Sequence, residues 1–229
     1  MKILLVCATL DELNPFLSFH KMHLENNGSM LCVRNGKLDA ELLITGVGMV
    51  ATTYHLCKAL SRKKYDFVIN PGIAGSFNRT LVPGQVVNVI SDTFAELGAE
   101  DGEGFLTIED LKLRKADEFP FTGGLLINPL EKNIPGLREL QKVKGITVNK
   151  VHGNESSIAS LLQRIQPDVE TMEGAAFMYT CLSENIPFCQ IRAISNYVER
   201  RNRNAWNIPL AVKNLNDTLL KIMEEYEYA

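Results

Sequence analysis

No pair of cysteines in this chain has the spacing of a metal clamp or of a redox motif. The five (Cys7, Cys32, Cys57, Cys181 and Cys189) are odd in number and scattered, which argues against a disulfide framework and a zinc site. Most lie in apolar stretches, where a free thiol packs as a small hydrophobe. No apolar run approaches the roughly 18 residues of a membrane span. The opening MKILLVCATLDEL has one Lys and a short apolar run with acids close behind it, which fits a first strand better than a secretion signal. The expected location is cytoplasmic. Basic charge is not in excess either: 24 Lys and Arg stand against 27 Asp and Glu, a net −3, which argues against nucleic acid as a partner. Gly46-Val47-Gly48 lacks the third glycine of a dinucleotide loop. The acidic string Ala95 to Asp101 lacks the pattern of a calcium loop. No metal or cofactor motif is present, and there is no linker, repeat or low-complexity stretch, so residues 1–229 read as one domain.

What is present is a strand–helix rhythm of ordinary globular composition, 45% hydrophobic and 22% charged. Ile3 to Ala8 is a continuous apolar run, as in a strand covered on both faces. Leu31 to Arg34 and Glu41 to Thr45 read as strands turning at Asn35-Gly36. Val50, Tyr54, Cys57 and Leu60 recur at helical steps. Asp66 to Asn70 reads as a buried strand ended by Pro71-Gly72, and Gln85 to Ser91 as another, with Leu97 to Phe105 a loop. In the second half, Leu125 to Ile127, Ile146 to Val151, Val169 to Met172 and Phe188 to Ser195 are strand-like. Ser156 to Ile165 and Glu173 to about Asn185 are helical, and Leu215, Leu219, Ile222, Met223 and Tyr226 mark a closing amphipathic helix. The expected fold is α/β, a three-layer sandwich with a central mixed, mostly parallel sheet.

Ligands of such sheets bind beyond the carboxyl ends of the strands. Four strand ends carry unusual residues: Thr9 to Glu12, Asn70 to Gly75, Thr171 to Glu173, and Ser195-Asn196. The segments Asn70-Pro-Gly-Ile-Ala-Gly75, Thr171-Met-Glu-Gly-Ala-Ala176 and Arg192-Ala-Ile-Ser-Asn196 resemble three signatures of the nucleoside phosphorylase/hydrolase superfamily. They are similar to those of methylthioadenosine/S-adenosylhomocysteine nucleosidases, as is the acidic opening Leu10-Asp-Glu12. The stretch Asn202 to Ile208 resembles the futalosine hydrolases of menaquinone biosynthesis. This resemblance implies a nucleoside phosphorylase-like fold and cleavage of a purine N-glycosidic bond without a cofactor. It also implies a small-molecule nucleoside as partner and a homo-oligomer, dimer or larger.

Each candidate has a plain structural reading beside the functional one. Glu12 suits a general base that takes a proton from water attacking an oxocarbenium-like sugar; equally, Asp11 and Glu12 suit a first helical turn. The resemblance puts Glu12 on the catalytic position and leaves Asp11 the structural role. Glu173 opens a helix, where an acid is helped to stay ionised. The resemblance puts it on the ribose hydroxyls, with Met172 packed on the sugar. Asn196 fits a turn, but the adenine-cleaving relatives carry Asp there. A carboxamide NH₂ donates without protonating the base, which fits the O6 and N7 acceptors of a 6-oxopurine such as hypoxanthine. Ser195 and Arg192 share that motif; a strand Arg is commonly paired with a structural carboxylate. Ile73 stands where related phosphorylases carry a hydroxyl for phosphate, so water is the expected nucleophile.

Futalosine bears a benzoate on its 5′ side, for which Arg200, Arg201 or Arg203 and the ring of Trp206 offer a guanidinium and an aromatic wall. Arg203 and Trp206 are the candidates carried by the resemblance; the structural reading is a solvated loop with Trp206 in the core. Asn154, with His152 and Glu155, follows a strand where the family's base pocket begins. His20, His23 and His55 read as structural or solvated. The rivals are a phosphorylase, a methylthioadenosine/S-adenosylhomocysteine nucleosidase, and a non-catalytic nucleoside-binding protein.

Overall fold

The computed structural model describes residues 2–19, 30–35, 38–129 and 134–228. His20, His23 and Gly36, and the side chains of Cys32 and Tyr226, lie outside the described residues. The first strand, β1 (Lys2–Cys7), shows why its sequence is apolar throughout. Ile3, Leu5 and Cys7 enter one core, Leu4 and Val6 the other, so neither face has room for the polar half of an alternating pattern. There follow α1 (Asn14–Phe19), β2 (Met30–Asn35), β3 (Leu38–Ile44), α2 (Met49–Arg62), β4 (Phe67–Ser76) and β5 (Val86–Asp92). A hairpin of β6 (Gly98–Asp101) and β7 (Gly104–Thr107) precedes β8 (Leu126–Ile127), α3 (Pro135–Arg138) and β9 (Gln141–Thr147). The chain ends with α4 (Glu155–Arg164), β10 (Val169–Thr171), α5 (Gly174–Ser183), β11 (Phe188–Tyr197) and α6 (Ile208–Tyr228).

The sheet runs β10-β9-β5-β11-β4-β1-β3-β2. It is mixed: β3, β1, β4 and β11 are parallel to one another, whereas β5 meets β11, β2 meets β3 and β10 meets β4 antiparallel. β10 pairs with β4 as well as β9, so β4, β11, β5, β9 and β10 close on themselves at one end. Phe16, Leu137 and the α6 residues Leu215, Leu219, Ile222 and Met223 pack one face. Leu56 and Ala59 of α2 and Phe177, Met178 and Cys181 of α5 pack the other.

Four expectations change. β4 does not stop at Pro71-Gly72 but continues along β11 to Ser76. Ile69 is its last residue paired with β1, and beyond it the missing Pro71 N–H costs no ladder bond on that side. The acidic segment after Leu97 is a hairpin turning at Gly102, φ 62°. Its one aromatic, Phe105, lies under the Arg164 guanidinium, a cover the local sequence does not reveal. β9 ends at Thr147 rather than Val151. The stripe Val50, Tyr54 and Cys57 is not the core face of α2. Val50 is 84% and Tyr54 59% exposed, Cys57 is exposed, and Thr52, Leu56 and Ala59 are buried instead.

Candidate active site

The carboxyl ends of β1, β4, β10 and β11 surround a cavity of about 320 Å³. Glu12, Ile73, Met172, Glu173, Ser195, Asn196 and Trp206 all line it. Residues scattered from position 12 to 206 therefore meet because the sheet order brings their four strand ends together.

Glu12 ends a 3-10 turn, Leu10–Glu12, after β1. Its Oε2 accepts from the Thr9 backbone N–H at 3.1 Å, a capping-box contact, and its Oε1 accepts from the Ile73 N–H at 3.2 Å. Thr9 and Ile73 also line the cavity. The turn is anchored from behind by Asn216 of α6, 1% exposed. Asn216 Nδ2 donates to the Glu12 carbonyl at 2.9 Å, while its Oδ1 accepts from the Phe16 N–H at 3.0 Å. Asp11 is exposed and accepts from Asn14 Nδ2.

Glu173 is the N-cap residue of α5, yet its carboxylate does not cap that helix. Oε1 accepts from the backbone N–H of Gly48 at 2.8 Å, and Gly48 is the N-cap of α2. The helix-terminal help therefore comes from α2. Gly48 has φ 97°, a conformation that favours glycine. Burial dominates its titration: it pushes the Glu173 carboxyl above its ordinary range, opposed by the Gly48 N–H and Arg192 and reinforced by Glu12.

Arg192 is the buried cation beside these carboxylates. It is 2% exposed and, against expectation, its guanidinium bonds to Asn70 and not to a carboxylate among the described residues. Nη1 donates to the Asn70 carbonyl at 2.8 Å and Nη2 to Asn70 Oδ1, while Nε has no partner among the described residues. Asn70 in turn donates from Nδ2 to Val6 O at 2.6 Å, tying β11 through β4 to the end of β1. Burial pushes the guanidinium down from its ordinary value, and Glu173, Glu12 and Asp92 act the other way. It remains a cation, as arginine does in proteins, and offsets the Glu173 and Glu12 carboxylates. A methyl group at Gly72 would stand 2.9 Å from Arg192 Nη1 and 3.1 Å from Glu12 Oε1. Glycine there is what lets these two groups share the space over β4.

Asn196 is aimed into the cavity by an irregularity. Ile194 pairs with Ala74 and Asn196 with Gly75, so Ser195 is the extra residue of a bulge. Ser195 Oγ lies 2.7 Å from Asn196 Oδ1 and 3.1 Å from Ala74 O, and Asn196 Nδ2 donates to Tyr197 O at 2.9 Å. One Nδ2 hydrogen is thus engaged by the backbone, leaving one of the two expected donors for a ligand.

Two sequence candidates stand elsewhere. The Asn154 side chain is the N-cap of α4, accepting from the Ser156 and Ser157 N–H groups at 2.9 and 3.2 Å, and does not line the cavity. Arg203 opens a 3-10 turn, Arg203–Ala205, and lies outside the lining as well. Arg201 takes its place, with its guanidinium carbon 5.2 Å from the Trp206 ring centre. Trp206 is half-buried against the cavity rather than in the core.

A model of the phosphorylase superfamily matches residues 2–224. The chain belongs to the phosphorylase superfamily. Within it, a futalosine hydrolase of Acidothermus cellulolyticus is 32% identical over 77% of this chain and 72% of that protein. The futalosine hydrolase of Streptomyces coelicolor is 32% identical over 80% of this chain and 77% of its own length. The solved structure of futalosine hydrolase from Helicobacter pylori superposes with a TM-score of 0.81, covering 98% of both chains at 14% identity, which establishes the shared superfamily fold. Among the described residues, no group of three His, Cys, Asp or Glu side chains is placed to hold a metal ion.

Several residues in and beneath this cavity have partners that the sequence does not show. Arg192 and Gly72 lie inside a recognised motif but only the packing shows their contact. Asn216 is remote in sequence from Glu12, and the Gly48 N–H is a backbone group with no side-chain signal. Glu170 sat in a strand, indistinguishable from a surface acid.

Proposed function

We propose that the protein hydrolyses the N-glycosidic bond of futalosine, giving hypoxanthine and dehypoxanthine futalosine for menaquinone biosynthesis. The observation that carries this reading is the convergence of Glu12, Glu173 and Asn196 on one cavity, together with the relatives' activity. In this reading Glu12, fixed by the Thr9 and Ile73 N–H groups, orients a water and takes its proton as C1′ becomes oxocarbenium-like. Glu173 accepts from the ribose hydroxyls beside Met172. Asn196, oriented by Ser195, donates its free N–H to the purine. Arg201, rather than Arg203, meets the benzoate beside Trp206. Water is favoured over phosphate because Glu12 and Glu173 face the cavity and oppose a dianion, and Ile73 offers no side-chain donor.

The chain is taken as one catalytic domain, residues 1–229. The exposed stripe of Val50 and Tyr54, continuous with Met49 and Phe94 along an open groove, supports assembly as a homo-oligomer, since contiguous apolar surface of this kind marks interfaces. The unpaired Cys7, Cys57, Cys181 and Cys189 fit the reducing cytoplasm. The test is base release from futalosine, its 6-amino analogue, inosine and methylthioadenosine. Preferred cleavage of futalosine is expected; preferred cleavage of methylthioadenosine would overturn the reading, and binding without release would make the protein a nucleoside carrier.

A further inference from the structure

Asn196 cannot give the departing purine a proton, and a purine leaving as an anion needs one or a strong donor in its place. Resting on the proposed nucleoside cleavage, we infer that His152 is the general acid and Glu170 its positioning residue. Both line the cavity. Glu170 of β10 and Asn196 of β11 are each the registered partner of Gly75 in β4. They flank a residue with no side chain, two strand spacings or about 10 Å apart, with Asn196 Nδ2 3.4 Å from where a Gly75 Cβ would be. The Glu170–Gly75–Asn196 row thus forms a floor with a purine-sized gap between its polar ends.

Glu170 is buried, and its carboxylate is wholly committed to His152. Oε1 accepts from the His152 backbone N–H at 2.9 Å and Oε2 meets ring Nδ1. An ionised carboxylate only accepts, so Nδ1 carries hydrogen and Nε2 is the ring nitrogen left for a ligand. Phe77 packs edge-on against the ring. The other charged or titratable groups facing this corner are Glu199, Arg201 and Tyr197 on the segment continuing from β11, and Glu12 and Glu173 across the cavity. Glu199 is bound to Arg79 at 2.7 Å, and the Arg79 guanidinium covers the Tyr197 ring. With Nδ1 fastened to Glu170, a proton carried on Nε2 is the one that His152 can pass on. In the reaction the C1′–N9 electron pair moves to the purine, whose N7 takes the proton of His152 Nε2. Water oxygen bonds to C1′ and its proton passes to Glu12. Both side chains then exchange protons with solvent.

The experiment compares wild type, His152→Gln, His152→Ala and Glu170→Gln in base release across pH, with thermal melts alongside. His152→Gln is expected to lose on the order of 10²-fold in kcat with little change in KM, and to lose the alkaline limb of the pH profile. Added imidazole restores part of the His152→Ala rate, and Glu170→Gln lowers kcat with little change in KM. An unchanged kcat and pH profile in His152→Gln, a loss confined to KM, or an unchanged kcat in Glu170→Gln would overturn the inference. If wild type cleaves inosine or methylthioadenosine but not futalosine, the substrate reading fails separately, and the same variants are compared on the nucleoside it does cleave.

Discussion

Replacing Gly72 with alanine adds one methyl group and removes no functional atom. Its Cβ would sit 2.9 Å from Arg192 Nη1 and 3.1 Å from Glu12 Oε1, against roughly 3.5 Å or more for a relaxed contact. Both contacts must therefore open by about half an ångström, through the side chains or the Gly72 backbone. Arg192 yields less, because its guanidinium is buried and fastened to Asn70 O and Oδ1, whereas the Glu12 carboxylate is held by longer bonds from Thr9 and Ile73 and is the group pushed further. Overpacking of this kind costs about 1–3 kcal/mol of stability. Displacing a reacting group by about 1 Å can cost around 10²-fold in rate, so half that displacement predicts roughly tenfold in kcat. The assay is base release under substrate saturation, paired with a thermal melt. A Gly72→Ala enzyme with wild-type kcat would refute the crowding argument; so would a kcat loss in a protein whose Glu12→Gln variant is fully active.

Asp92 is fully enclosed beneath α5, with Oδ1 accepting from Thr147 Oγ1 and the Thr93 N–H and Oδ2 from Gln190 Nε2. Burial pushes its pKa up to about 6, so the folded state holds its proton more tightly than the unfolded chain. Stability from this group is present below pH ~4 and falls as pH rises to about 6, by roughly 3 kcal/mol in all. Asp92→Asn should flatten that part of the stability–pH curve measured by urea unfolding; an unaltered slope would count against it. In the role proposed for it, Glu173 accepts from two ribose hydroxyls as a carboxylate, so kcat/KM should fall as pH drops through its raised pKa, and that acid limb should change in Glu173→Gln. Asn216→Ala frees the Glu12 carbonyl and the Phe16 N–H and should cost about 1–3 kcal/mol together with kcat; a loss of stability with full kcat would show that the turn holds itself. Arg201→Ala should raise KM for futalosine while leaving inosine unaffected, and equal effects on both would detach Arg201 from the 5′ substituent.

Much of this was legible in the chain because burial on both faces writes itself as continuous apolar runs, as in Ile3 to Cys7, and because site residues cluster at strand ends. Where it was not legible, the deciding partner is distant or carries no side-chain signal. Val50 and Tyr54 have the spacing of a core face, and only the position of α2 against α5 shows that Leu56 and Ala59 hold it. Pro71-Gly72 has the composition of a stop, yet the strand runs on because β11 still pairs with it. Glu173 opens α5 as its sequence position implies, but its partner is the N-terminus of α2 rather than that of its own helix. Arg203 and Arg201 are equivalent as letters in a basic run, and the turn at Arg203–Ala205 separates them.

The central claim is that water, activated by Glu12, takes the ribosyl carbon of a 6-oxopurine nucleoside. The direct measurement is hypoxanthine release from futalosine in phosphate-free buffer and then with phosphate added, with the ribosyl product identified by mass. The same rate is expected in both, with a free sugar hydroxyl in the product. A rate that vanishes without phosphate, with a ribosyl 1-phosphate formed in its presence, would contradict it.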